Sequence, residues 1–84
     1  MTAPKKPQIE RYEYIHFEKM ADLSKTSVWV CRNNRSLGEL GIVKWHPTWR
    51  QYCYFPTGQA VYSQGCLKDI QSFINILRIA HDRA

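Results

Sequence analysis

Acidic residues are scarce in this chain: seven Asp and Glu stand against twelve Lys and Arg, leaving a net charge of +5 over 84 residues. An excess of that sign favours an anionic partner such as nucleic acid, a nucleotide or an acidic protein, although a charge of this size also serves solubility alone. Cysteine is sparse as well. Cys31, Cys53 and Cys66 are odd in number and form no CxxC pair, which argues against a disulfide framework or a zinc knuckle and leaves them as reduced core thiols. No run approaches the ~18 apolar residues of a membrane span, and Lys5 and Lys6 are not followed by the apolar stretch of a signal peptide. The expectation is a soluble protein of the cytoplasm with no membrane partner. There is no internal repeat or low-complexity tract, and the length suits one domain.

What is present is a β-rich body followed by a change of period. Residues 1–8, with Pro4, Pro7 and two lysines but nothing to bury, read as a flexible basic arm, and 9–84 as a single folded domain. Ile9 to Lys19 alternates as one strand, and Asp22 to Lys25 breaks it. Thr26 to Arg32 and Leu40 to His46 form a hairpin around Asn33-Asn34, residues that tolerate positive φ. Trp49 to Phe55 supplies a further strand, and Ala60 to Ser63 a short edge strand. From Ser63, a plausible N-cap, an apolar stripe of Cys66, Leu67, Ile70, Phe73, Ile74, Leu77, Ala80 and His81 recurs at helical spacing, with Ile76 and Ile79 outside it. The fold class expected is α+β: an antiparallel sheet of four or five strands with one C-terminal helix packed on one face.

A two-layer domain leaves the other sheet face free. Strict alternation places Trp29, Cys31, Val43, Trp45, Cys53 and Phe55 under the helix, and Val28, Val30, Arg32, Leu40, Ile42, Lys44, Arg50, Tyr52 and Tyr54 on the free side. Rings can stack on bases while cations neutralise phosphates, so Arg32, Lys44, Arg50, Tyr52 and Tyr54 are candidate ligand-binding residues. The competing reading is an amphipathic face that is only solvated. Trp49 joins the candidates because the segment WHPTWRQYCYF concentrates the residue types that binding hot spots favour.

Catalysis has little to work with. His16, His46 and His81 sit on three different elements without metal-ligand spacing, no carboxylates are paired, and the four glycines form no phosphate loop. A Cys53–His46 nucleophile pair is disfavoured because Cys53 falls in the apolar set. No catalytic residue, metal or cofactor is indicated, and a binding protein is expected rather than an enzyme.

The pattern SLGELGIVKWHPTWRQYCYF followed by VYSQGCLKDIQSFINIL, over about residues 26–77, resembles a family of small bacteriophage and prophage proteins. The likeness rests on Leu40-Gly41, Trp45, Trp49-Arg50-Gln51-Tyr52, Phe55, Cys66-Leu67, Asp69-Ile70 and Phe73-Ile74. It implies a phage or mobile-element accessory protein acting in a host cell, and brings no catalytic residues with it. The strands-then-helix order also resembles AP2-type and integrase-arm DNA-binding domains, an analogy of fold alone. Two functions follow as expectations. One is a non-enzymatic binder of nucleic acid or a nucleotide through the basic aromatic face. The alternative is a protein–protein inhibitor of anti-defence type docking on a host protein through the WHPTW turn, or a homodimeric module formed through Ile76 and Ile79.

Overall fold

A computed structural model describes residues 8–83. Five strands, β1 (Ile9–Arg11), β2 (Ile15–Asp22), β3 (Ser27–Asn33), β4 (Glu39–His46) and β5 (Gln51–Pro56), lie side by side in chain order as one antiparallel sheet, and α1 (Gln64–Asp82) follows. The α+β architecture is the one the sequence pattern predicts. Of the expected basic arm only Gln8 is described; its carbonyl accepts the Lys19 N–H at 2.9 Å, and the rest lies outside the described residues.

The helix forms where the period changes because Ser63 accepts the Cys66 N–H at 3.2 Å, satisfying one of the unpaired donors of the first turn. Its buried stripe is Cys66, Ile70, Phe73 and Leu77, narrower than expected: Leu67 and Ala80 are exposed, as are Ile76 and Ile79. Phe73 anchors the contact with the sheet. Its ring stacks on Phe17 at 4.0 Å and meets Trp29 edge-on at 5.0 Å, while Ile15, Cys31 and Val43 complete a floor with no exposed surface. At the other end of α1, His81 stacks on Trp45 at 4.4 Å, so the last turn is pinned by a ring rather than by an aliphatic side chain.

Several local expectations are corrected. Ile9 to Lys19 is two strands, because the chain reverses at Tyr12–Tyr14 with the Tyr12 N–H donating to the Ile15 carbonyl at 2.9 Å; Ile9, expected to share a face with Ile15, lies outside the core. In the β3–β4 turn the positive φ falls on Leu37 (63°), whereas Asn33 contributes its side-chain oxygen, which accepts the N–H groups of Arg35 and Ser36. Residues 60–63 form no strand; Tyr62 instead donates its hydroxyl to the Leu40 carbonyl. The first turn of α1 holds no acidic residue; Asp69 lies beyond it, and its Oδ2 is buried without a hydrogen-bond partner.

The correction with most consequence concerns β5. Trp49 and Arg50 are not strand residues: positions 47–50 turn, the Arg50 N–H closes the turn on the His46 carbonyl at 2.7 Å, and Arg50 takes a left-handed φ of 55°. Pairing then runs His46 to Gln51, Trp45 to Tyr52, Lys44 to Cys53, Val43 to Tyr54 and Ile42 to Phe55. Odd positions in β4 meet even positions in β5. Tyr52 and Tyr54 therefore share the helix side with Trp45 and Val43, and Cys53 and Phe55 move to the open side. Gly41 records this phase, since a Cβ there would lie 2.5 Å from the Tyr54 ring. Only a glycine lets that ring rest on the strand.

Candidate functional site on the open sheet face

No helix or second sheet among the described residues packs on the sheet face opposite α1. Register sorts its side chains into rows. Arg11, His16 and Arg32 form one row across β1, β2 and β3; Ile9, Glu18, Val30, Ile42 and Phe55 form the next across all five strands. Lys44 and Cys53 follow, then His46 and Gln51. Val30 is only 2% exposed although no helix covers it, because Glu18 and Ile42 flank it in its row. The face has an apolar centre with cations on both sides and Glu18 as its interior acid.

The aromatic surface lies at the β4–β5 end. Trp49 folds back from the turn so that its ring stacks on His46 at 4.6 Å and 17°, and His46 in turn lies parallel to Phe55 at 6.1 Å and 2°. Lys44 Nζ sits 4.8 Å over the Phe55 ring, a cation–π contact. Trp49 lies there without being buried: its backbone N–H donates to His46 Nδ1 at 3.2 Å, and 64% of its surface stays in water. That bond makes Nδ1 the acceptor and places the proton of a neutral His46 on Nε2.

The opposite end is built on Asn34. Its amide nitrogen donates to the carbonyls of Tyr12 and Glu13, which leaves Oδ1 to accept from Arg11 at 3.2 Å and from His16 Nδ1 at 2.7 Å. His16 therefore carries its proton on Nδ1, buried at 4% exposure between two arginines. Arg32 donates to the Leu37 carbonyl at 3.2 Å, which draws its side chain toward the β3–β4 turn.

Of the sequence-predicted residues, Arg32 and Lys44 lie on the open face, and Trp49 and Arg50 stand exposed on the turn at its rim. Tyr52 and Tyr54 do not. Tyr52 is 7% exposed, and its hydroxyl accepts the Ser27 N–H; Tyr54 donates to Tyr62 at 2.7 Å, and burial first of all drives its hydroxyl well above the usual tyrosine range. Their rings are structural. Phe55, His46, His16 and Arg11 replace them, and the signal that would have found them is the length of the 47–50 turn, which inverts the phase of β5.

Lys19 with Asp22 at 2.9 Å is an ion pair, and the His81 ring lies 3.7 Å from Asp82; neither contact is on this face. Arg11, Arg32, Lys44 and Arg50 have no carboxylate partner among the described residues. Cys53 is on the open face, not in the core as expected, opposite Lys44 in the register and with its thiol toward the Gln51 carbonyl at 3.8 Å. Cys31 is buried, which pushes its thiol up to about 11 and suppresses the thiolate. No group of three or more metal-ligating side chains occurs among the described residues, and no helix there is long and apolar enough to cross a membrane. Comparison with models of protein families, with curated proteins and with solved structures gives no match.

Proposed function

We propose that this chain is a small binding protein whose open sheet face takes a phosphate-bearing ligand, a nucleic acid or nucleotide. The observation that carries the reading is the set of cations left without acidic partners, Arg11, Arg32, Lys44 and Arg50, distributed around an apolar and aromatic surface. A face that was only solvated would pair such cations with the available Glu side chains or leave the apolar row covered. Instead Glu39, opposite Arg32 in the register, accepts from Thr57 at 2.9 Å, and Glu18, between Ile9 and Val30 in its row, makes no ion pair among the described residues. Phosphate oxygens supply the missing charge, and an apolar floor with exposed rings suits the faces of bases.

The test is binding of labelled single- and double-stranded DNA and RNA by fluorescence anisotropy at two salt concentrations. Neutralising three or four phosphates makes log K fall with log salt at a slope of roughly −2 to −4. Absence of binding at low salt removes the reading.

A second reading is favoured by Trp49 and by the helix side. An exposed Trp beside an Arg is a hot-spot combination, and exposed Ile76 lines a groove of about 300 Å³ with Trp29, Phe73 and Leu77. A protein partner there would bind with little salt dependence and would be lost on Trp49→Ala or Ile76→Asp, which pull-down measurements separate from the first reading.

A further inference from the structure

We infer that the Trp49–His46–Phe55 column is a base-stacking platform, so that the ligand class of the open face is single-stranded nucleic acid rather than duplex. The inference rests on the phosphate-binding reading above and goes beyond it by assigning the rings a role that charge alone does not require.

Three observations converge. The rings are close to parallel, at 17° between Trp49 and His46 and 2° between His46 and Phe55, and the outermost presents a face that is mostly solvent-exposed. A water-exposed indole gains little from lying on a neighbouring ring, yet this one stacks on His46. The backbone beneath it is fixed: the Trp49 backbone N–H donates to His46 Nδ1, the Arg50 N–H to His46 carbonyl bond closes the turn, and Pro47 restricts the backbone at the turn's start. Finally, cations bracket the rings: Lys44 lies over Phe55, and Arg50 follows Trp49 directly in the turn. An extended strand whose base lay on the outer face of Trp49 would run its phosphates past Arg50 and Lys44, then toward Arg32 and Arg11 at the far end of the sheet.

Duplex cannot use this surface. Its bases are already stacked on one another and present only edges in the grooves, so the exposed ring face of Trp49 would find no base face to stack on. Unpaired bases present their π faces, and every base has one, so the platform is tolerant of sequence. A footprint of about four nucleotides, the lower end for small single-strand binders, suits a sheet of this width.

The test uses the full chain and three labelled probes of equal length: an oligothymidylate, an abasic deoxyribose-phosphate strand and a duplex. Anisotropy at low salt is followed together with tryptophan emission, in which Trp49 is the exposed reporter and Trp29 is buried. The oligothymidylate should bind at least about tenfold more tightly than either other probe and quench the emission. Trp49→Ala should bring it down to the level of the abasic strand, and Trp49→Phe should restore most of the difference. Lys44→Ala should weaken all three probes. Equal affinity for the oligothymidylate and the abasic strand, with no quenching, overturns the platform and leaves phosphate binding standing. Failure of all three to bind at low salt overturns the underlying reading as well.

Discussion

Replacing Gly41 by alanine tests the phase of β5 on which the whole assignment of faces depends. The added Cβ would stand 2.5 Å from both Cζ and Oη of Tyr54 and 2.7 Å from the Phe55 carbonyl oxygen. Ordinary contact requires the ring to retreat by about 1 Å. It is not free to do so: Tyr62 spends its one hydroxyl proton on the Leu40 carbonyl, so Tyr54 must donate to Tyr62, and the chain Tyr54 to Tyr62 to Leu40 holds the ring down. Overpacking of this kind costs about 1–3 kcal/mol, and breaking a part-buried hydroxyl pair adds about 1 kcal/mol. The intrinsic gain of alanine over glycine in a strand returns about 0.5–1 kcal/mol, so the net destabilisation is about 2 kcal/mol. Urea unfolding of Gly41→Ala, Tyr54→Leu and the double variant reads the coupling. With the ring removed, Gly41→Ala should cost at least about 1 kcal/mol less, the remainder being the contact of its Cβ with the Phe55 carbonyl oxygen at 2.7 Å. Equal costs in both backgrounds, or a cost below about 0.5 kcal/mol in the original, would mean that Tyr54 does not lie over Gly41 and that Tyr54, not Phe55, faces the open side.

Other perturbations separate structure from binding. Arg50 sits exposed at φ 55°, so Arg50→Gly should raise stability by up to about 1 kcal/mol and Arg50→Ala should leave it within about 0.5 kcal/mol, while both lower nucleic-acid affinity by roughly tenfold; lost stability with unchanged affinity would make this a structural cation. The Cys31 thiol rises in the fold from 9.0 to about 11, chiefly through burial. The folded state therefore holds its proton where the unfolded chain has released it, and the stability this contributes is intact below about pH 9 and lost as pH climbs toward 11. The loss is on the order of 1 kcal/mol, visible as a lower urea midpoint at pH 10.5 than at pH 8 and reduced in Cys31→Ala.

The helix was legible from sequence because its two signals are local: a 3.6-residue apolar stripe and a serine placed to cap it, both borne out at Ser63, Cys66, Ile70, Phe73 and Leu77. The stripe read too wide, since periodicity alone cannot tell that Leu67 and Ala80 stay exposed. The β3–β4 hairpin was legible for the same reason, with Trp29, Cys31 and Val43 on one side in both readings. The site was legible only in part. Arg32, Lys44, Trp49 and Arg50 reach the open face or its rim, but Tyr52 and Tyr54 were assigned on the premise that alternation carries unchanged from β4 into β5. Alternation is a property within a strand, whereas the phase between strands is set by the turn, and a left-handed residue at Arg50 adds the position that inverts it. The row of Arg11, His16 and Arg32 depends on a similar non-local fact, the reversal at Tyr12–Tyr14, together with the Asn34 side chain reaching across to hold it.

The claim that the open face is the binding surface is tested most directly by NMR titration of the protein with a short oligothymidylate. Amide and indole shifts should move at Trp49, Lys44, Phe55, Ile42 and Arg32, and remain still on the helix side at Ile76, Leu77 and His81. Shifts confined to α1 and the Trp29 groove, or none at all at low salt, would contradict it.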